Sequence, residues 1–219
     1  MNSILVYWIT KIGGIVTPSP NTLCRMYIEQ IYAWKKFAIE KTLAVFDNAE
    51  EEAESLIAKE FERLGSMPGE GDMGSLAETA RDAGITYYIT MKSVEQSLKN
   101  LLAAGIYHLF EQQCKQFGFP ISDIKKCQEY EKIREAALVA NTVKHGEGDA
   151  ANGLRKARPD LFDYSPLNGF SLGGGVGDEV RQPLAGESIY VSREDIEEYA
   201  NAMCESWMFT QTVLDRDIQ

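Results

Sequence analysis

The chain has 219 residues, of which 44% are hydrophobic and 25% charged, the composition of a globular protein long enough to bury one sizeable core. Its 22 basic and 33 acidic residues give a net charge of −11, which argues against a broad nucleic-acid footprint and against binding to a membrane surface. A small basic groove, or one built across a dimer, remains compatible with this charge.

The four cysteines are scattered singly, with no CxxC pair and no histidine at ligand spacing: Cys24, Cys114, Cys127 and Cys204. This pattern is typical of reduced, mostly buried thiols in a cytoplasmic protein, and it predicts neither a disulfide framework nor a metal site. No cofactor is expected either, because no cofactor motif is present.

Residues 1–20 form an apolar N-terminal segment that ends in Thr-Pro-Ser-Pro, a stop for regular structure. The segment has no basic start, contains Lys11 and is too short to span a membrane, so neither a signal peptide nor a membrane anchor is predicted. A strand, an irregular segment packed on the domain, or an upstream extension of the start all fit. Residues 21–219 are predicted to form a single α-helical domain with its core at 85–150.

Apolar residues at helical spacing predict a first helix capped by Asn21 or Thr22 and broken near Asp47-Asn48. The following acidic run, 50–64, predicts a helix with a solvated face. Glycine and proline then predict a mobile loop at 65–75.

A long helix is predicted from Ile85 to Phe117, because its apolar residues keep the helical period throughout. Gly105 lies inside it at a cost of about 1 kcal/mol relative to alanine, which favours a close helix–helix crossing there. Pro120 closes this segment, and Ser122 is predicted to cap the helix that ends at His145.

Beyond that helix, Asp149 is predicted to cap a short basic helix that ends before Pro159. Residues 163–191 lose the helical pattern and are rich in glycine, which predicts an irregular connector with one short strand at its end, Ile189–Val191. The GGGVG run follows no strand and opens no helix, so a phosphate-binding loop is not predicted.

The last helix is predicted from Arg193 to about Leu214, with Ser192 and Asp195 as an acidic variant of the capping box. Its aromatic end around Trp207 favours a core or dimer-seam position over a base-stacking platform. The predicted fold is therefore mostly α, an antiparallel helical bundle of four to five helices, two of them long.

The helix that ends at His145 carries the residues best suited to chemistry. Arg134, Asn141 and His145 lie on one face, at i, i+7 and i+11. The negative end of the helix dipole favours the protonated imidazole, Asn141 can orient one ring nitrogen, and Lys144 adds a fixed cation. This set suits general acid–base work on a phosphodiester. The alternative is that His145 is a capping residue of the helix C-terminus.

The run Asn141-Thr-Val-Lys-His145-Gly resembles the signature turn of the HEPN superfamily, helical bacterial domains found in toxin–antitoxin and phage-defence systems. The family motif is an arginine, a polar residue, three further residues and a histidine. Here Asn141 and His145 match the polar residue and the histidine, and Ala140 stands where the arginine is expected. The resemblance covers residues 85–150 and rests on a short motif.

The resemblance implies a homodimer in which two subunits juxtapose their arginine and histidine residues and cut RNA without metal through the ribose 2′-OH. Arg134 lies eleven residues from His145, about 16 Å along the helix axis, so it can serve only a partner's histidine. Lys144 is the other candidate for the missing charge.

Two further groups are candidate substrate-binding residues. Arg155, Lys156 and Arg158 follow the corner and would make a basic rim for phosphate, or are simply the solvated C-terminus of a short helix. His108 and Glu111 lie one turn apart on the long helix and could approach the same corner. The alternative for His108 is a half-buried interface position.

Two functions therefore stay open from the sequence. The first is a HEPN-like endoribonuclease, a toxin-like or defence effector that acts as a dimer on RNA with His145 as the acid–base. The second is a non-catalytic HEPN-like subunit or adaptor that binds a protein partner in a multi-protein defence assembly. The acidic charge and Ala140 favour the second, whereas the Asn-Lys-His corner and the basic rim favour the first.

Overall fold

A computed structural model describes residues 18–66, 72–118, 125–162 and 189–217. These residues contain no strand and form five α-helices of at least sixteen residues and one of nine. The helices are α1 (Pro20–Phe37), α2 (Ala49–Gly65), α3 (Met73–Phe117), α4 (Tyr130–His145), α5 (Asp149–Ala157) and α6 (Arg193–Asp217). The predicted mostly α helical bundle is confirmed. The predictions for residues 1–17, 67–71, Pro120, Ser122 and 163–188 lie outside the described residues, whereas residues 65 and 73–75 of the predicted 65–75 loop are helical.

The N-cap of α1 lies two residues before Asn21, the first of its two predicted caps. Ser19 is the N-cap, and its hydroxyl oxygen accepts a hydrogen bond from the Thr22 amide at 3.2 Å. Pro20 occupies the first turn, where its missing N–H costs no helical hydrogen bond. After Phe37 the chain continues as a short π-helical and then 3₁₀ stretch, and it turns at Asp47-Asn48 as predicted.

α3 is the longest helix, and it begins at Met73 rather than at the predicted Ile85. Its first turns pack closely on α2 through small residues: a Cβ atom placed on Gly84 would lie 2.2 Å from Ile57 Cγ1. Small residues give a weak hydrophobic signal, so the apolar pattern alone underestimates this helix. Its end at Phe117 agrees with the prediction.

Contacts along the helices give their directions. α1 runs antiparallel to α3, because Tyr27 contacts Gln116 whereas the Trp34 ring lies 3.2 Å from the Cβ position of Gly105. The predicted close crossing at Gly105 is thus present. α6 is antiparallel to α1, because Asn21 bonds to Asp215 and Lys35 bonds to Asn201. The two longest helices, α3 and α6, run in the same direction, and their contacts are Glu95 with Arg193 and Gln113 with Trp207.

Trp207 of α6 lies at the centre of the core and is fully buried. Its ring centroid lies 4.9 Å from that of Tyr27, 5.3 Å from that of Phe117 and 5.9 Å from that of Phe110. The indole N–H donates to Gln113 Oε1 at 2.9 Å, so the one polar atom of the ring is satisfied. The core position predicted for Trp207 is confirmed, and the core draws on α1 and α6 as well as on 85–150.

Residues 189–191 are not a strand, so that prediction is wrong. Their backbone binds side chains of α3 instead: Asn100 Nδ2 donates to the Ile189 carbonyl at 2.6 Å, and Gln96 Nε2 donates to the Val191 carbonyl at 3.0 Å. The β-branched residues that suggested a strand are buried against the bundle. Residues 189–191 therefore attach the start of α6 to α3.

The predicted capping box of α6 is confirmed. The Asp195 amide donates to Ser192 Oγ at 2.9 Å, and the Ser192 amide donates to Asp195 Oδ2 at 2.9 Å. The two amides would otherwise lack partners at the start of a helix, so this pair fixes where α6 begins.

Candidate functional site

A glycine turn ends α4 and places His145 at its last position. Gly146 has a φ of 68°, a left-handed value that favours glycine, and its amide donates to the Thr142 carbonyl at 2.8 Å. The predicted stop is therefore confirmed. Gly148, with a φ of 144°, rather than Asp149 is the N-cap of α5.

Three of the four residues predicted to carry the chemistry lie at the end of α4 and have exposed side chains: Asn141, Lys144 and His145. Within the described part of the chain, no hydrogen bond or ion pair is formed by any of the three side chains. Asn141 lies one turn before His145 but does not bond to the imidazole. His145 also does not bond to its own helix backbone, so the alternative of a capping imidazole gains no support.

Ala140 occupies the position at which the HEPN pattern has its arginine. It is 0% exposed, whereas its neighbour Asn141 is exposed. An arginine side chain has about 2 kcal/mol of rotamer entropy and a permanent charge, so it needs space and a partner that a buried alanine position does not supply. The register of α4 therefore directs the side chain at position 140 into the protein and away from His145.

Arg134 does not replace that arginine within the subunit. Its guanidinium lies 3.2 Å from the Glu131 carboxylate, one turn earlier on the same exposed surface. Eleven residues separate Arg134 from His145, about 16 Å along a straight helix. An exposed ion pair of this kind contributes little free energy, so Arg134 can leave Glu131 at small cost if another anion approaches.

α5 packs back on α4 and carries two of the predicted rim residues. A Cβ atom on Gly153 would lie 3.4 Å from Leu138 Cδ2, which is ordinary contact between the two helices. Arg155 lies 3.5 Å from Glu147 and stacks over the Phe162 ring, with 4.7 Å from its guanidinium carbon to the ring centroid. The Lys156 side chain is exposed. Glu147 therefore balances part of the positive charge of Arg155 and Lys156.

Arg158 differs from the other two rim residues because its guanidinium is bound within the fold, and its role as a phosphate ligand stays a prediction. The side chain is only 23% exposed, and its donors are taken by three carboxylates. Nε donates to Asp160 at 2.9 Å, Nη2 donates to Asp195 at 3.0 Å, and Nη1 donates to Glu135. These contacts join the end of α5 to α4 and α6.

The same cluster contains residues that sequence reasoning missed. Glu135 also accepts a hydrogen bond from the Tyr199 hydroxyl at 2.8 Å. The hydrogen bond to Asp160 raises the pKa of Arg158 and lowers that of Asp160. Burial, followed by the charge of Glu135, raises the pKa of Tyr199. All three groups stay in their ordinary charge states near neutral pH, which is typical of a structural ion network.

A second ion cluster surrounds Glu95 on α3, which is buried. Its carboxylate lies 3.0 Å from Lys92, 3.4 Å from Lys99 and 3.2 Å from Arg193. Burial alone would raise the pKa of Glu95, but the hydrogen bond from Lys92 and the charges of Lys99, Lys92 and Arg193 outweigh burial and lower this pKa. Arg193 also lies 2.7 Å from Asp47, so this cluster ties the start of α6 to α3 and to the turn before α2.

His108 and Glu111 form a local pair on α3, with 3.7 Å between Nδ1 and Oε2. Glu111 also lies 3.2 Å from Lys115, so a cation and an imidazole already share this carboxylate. Among the described contacts, none joins this pair to His145. The half-exposed position of His108 agrees with the interface alternative as well as with a binding role.

All four cysteines are buried and unpaired, as predicted. Burial raises the pKa of Cys24 to about 11 and that of Cys114 and Cys204 to about 12, so these thiols stay protonated. Among the described residues, no three His, Cys, Asp or Glu side chains are placed to hold a metal ion. Of the helices in the described ranges, none combines the length and apolarity that crossing a membrane requires.

No family model, curated protein or solved structure matches this chain.

Proposed function

We propose that this protein is a non-catalytic HEPN-like helical subunit that binds a protein partner in a bacterial defence assembly. The observation that carries the proposal is the burial of Ala140 at the arginine position of the motif. The HEPN assignment itself stays an interpretation of the Asn141-to-Gly146 run.

The missing charge matters because phosphodiester cleavage builds negative charge in its transition state. Fixed cations and donors near that charge supply the largest single share of catalysis in many enzymes, and loss of one donor costs about 10²–10³ in rate. In this subunit Arg134 points to Glu131, and Arg158 is held by three carboxylates. Lys144 alone stands next to His145 without a carboxylate among the described contacts.

The charge distribution supports the same proposal. RNA affinity comes mainly from clustered Lys and Arg, and the chain as a whole carries −11. Of the predicted rim, Lys156 is exposed while Arg155 already contacts Glu147. The end of α4 and the adjoining α5, with this charge, can bind an anion modestly but do not form an RNA-binding groove.

A metal-independent endoribonuclease acting as a homodimer is the second candidate, and the exposure of the corner favours it. Asn141, Lys144 and His145 are side by side at a helix end and accessible to a ligand. A two-fold axis at this corner would bring Arg134 of the partner subunit toward His145.

The test is RNA degradation by the purified chain in the presence of chelator, compared with His145→Ala and with Lys59→Ala. Both substitutions truncate an exposed side chain, and Lys59 on α2 is not among the predicted site residues, so the second is a control for the first. We expect no cleavage by any of the three proteins. Cleavage that survives chelator, disappears in His145→Ala and persists in Lys59→Ala would overturn the proposal and establish the second candidate.

A further inference from the structure

Three exposed apolar side chains lie on the outward face of α6, near its C-terminal end. Met208, Phe209 and Val213 are 42%, 43% and 38% exposed, respectively. Phe209 and Val213 are one helical turn apart and Met208 precedes Phe209, so helix geometry places the three side chains next to one another. The other side of α6 contains Met203 and Trp207, which are buried in the bundle. The three exposed side chains therefore lie outside the core.

Tyr32 of the neighbouring helix α1 extends this apolar surface and is 40% exposed. The pKa of its hydroxyl is raised, first by Cys204, then by burial and by the charge of Glu205. Tyr32 therefore lies beside the turn of α6 that precedes Met208 and Phe209. The four exposed fractions correspond to about 300 Å² of surface, if a fully exposed side chain of this size presents about 200 Å², and patches of this area are often functional.

Acidic side chains continue the same face of α6 toward its start. Glu194, Glu197 and Glu205 are exposed, and within the described part of the chain none of the three forms an ion pair. α6 contains seven acidic and two basic residues, a net charge of −5. The acidic and apolar residues form one surface, called here the outer stripe of α6: Glu194, Glu197, Glu205, Met208, Phe209 and Val213.

The length and the charge of the outer stripe indicate which occupant it fits. The stripe runs over nineteen residue steps, about 28 Å along the helix, which is the length of one helix laid against α6. Carboxylates without ion-pair partners attract lysine and arginine, and they repel nucleic acids and anionic membrane surfaces. A second copy of this chain would bring the same acidic stripe and a total charge of −11. The charge therefore favours a basic helix of a different protein.

We infer that the outer stripe of α6 binds a basic amphipathic helix of a partner protein. Apolar side chains of that helix pack on Met208, Phe209 and Val213, and its lysine or arginine side chains pair with Glu197 and Glu205. This inference rests on the proposed function, because it gives the chemistry of the protein partner. It places that partner on α6 and away from the end of α4.

The experiment measures binding of a synthetic peptide to the full chain by fluorescence anisotropy. The probe is a labelled peptide of about 18 leucine and lysine residues, with leucine at i, i+3, i+4 and i+7, whose helix is about 27 Å long. We expect a dissociation constant of ~10 µM, raised at least ~10-fold by Phe209→Ser and about 3-fold by Glu205→Gln. Val213→Ser is the second apolar variant, and circular dichroism shows that each variant is folded.

Two matched controls separate the outer stripe from the rest of the surface. Leu101→Ser removes an exposed apolar side chain from α3, and Glu62→Gln removes an exposed carboxylate from α2. Neither substitution should change the dissociation constant. A peptide with glutamate in place of every lysine should bind at least ~100-fold more weakly, because like charges repel.

Four outcomes overturn the inference. The first is no binding of the lysine peptide at ~1 mM, and the second is equally tight binding of the glutamate peptide. The third is an equal loss of affinity in Phe209→Ser and Leu101→Ser, or in Glu205→Gln and Glu62→Gln, which is the result of non-specific adsorption. The fourth comes from photo-cross-linking of the free chain with benzoylphenylalanine in place of Phe209: a product joined to residues 1–17 or to a second copy means that another occupant covers the stripe.

The peptide assay and the RNA assay have separate readouts. RNA cleavage that depends on His145 contradicts the proposed function whether or not the peptide binds. Loss of peptide binding without RNA cleavage contradicts this inference alone, because a non-catalytic subunit can bind its partner through a different surface.

Discussion

Replacing Ala140 with arginine restores the arginine of the HEPN motif. We expect this substitution to destabilise the protein without creating RNA-cleaving activity. Ala140 is 0% exposed, so the new guanidinium must be buried without a carboxylate or force α4 away from its neighbours. An unpaired buried charge costs about 3–5 kcal/mol, and overpacking a core position typically costs about 1–3 kcal/mol. We therefore expect a loss of ~4 kcal/mol in the free energy of unfolding, or roughly 10 °C in melting temperature for a chain of this size.

The assay is urea and thermal unfolding followed by circular dichroism, with RNA degradation measured on the same samples. Asn141→Arg is the matched control, because it adds the same side chain one position later at an exposed site, and it should change stability by less than ~0.5 kcal/mol. An Ala140→Arg protein as stable as the wild type would show that the position can hold an arginine, and our reasoning about the motif would be wrong. Gain of chelator-resistant RNA cleavage would refute the proposed function as well.

Two further predictions concern stability. The pKa of Glu95 is lower in the folded than in the unfolded protein, where it is about 4.3. The charged carboxylate therefore stabilises the fold above the unfolded pKa, and this stability is lost as pH falls through the lower folded pKa. Glu95→Gln should therefore flatten the pH dependence of the free energy of unfolding below about pH 4.5. An unchanged slope in acid titrations of the variant would contradict this. Gly84→Ala should cost ~1–3 kcal/mol because its Cβ meets Ile57 at 2.2 Å, whereas Gly65→Ala, with nothing within 4 Å, should stay within ~0.5 kcal/mol of the wild type; equal melting temperatures would exclude the clash.

The helices were predictable because their signals are local. The end of α3 at Phe117, the stop after His145 and the capping box of Ser192 each depend on residues within a few positions of one another. Such patterns keep their meaning wherever the segment lies in the fold. The start of α3 could not be predicted because Ala80 and Gly84 face α2. Small residues favour a helix at such positions only through close packing on a second helix, which the sequence pattern does not reveal.

At the candidate site, by contrast, some contacts depend on residues far apart in the chain. The sequence places Asn141, Lys144 and His145 near one helix end, and their exposure agrees with that placement. It gives no sign that Arg158 is held by Glu135 and by Asp195, which are 23 and 37 residues away along the chain. A basic residue after a short helix looks solvated until the fold brings carboxylates to it.

The sequence by itself determined the helical class, most helix ends, the buried thiols and the Asn-Lys-His corner, because period, caps and glycine turns act over one or two turns of chain. Only the tertiary structure decided that α3 and α6 run in the same direction, that Ala140 points into the protein and that Arg158 is a structural ion-pair residue. These depend on which helices meet, and helix pairing is set by the burial of whole faces rather than by any short pattern.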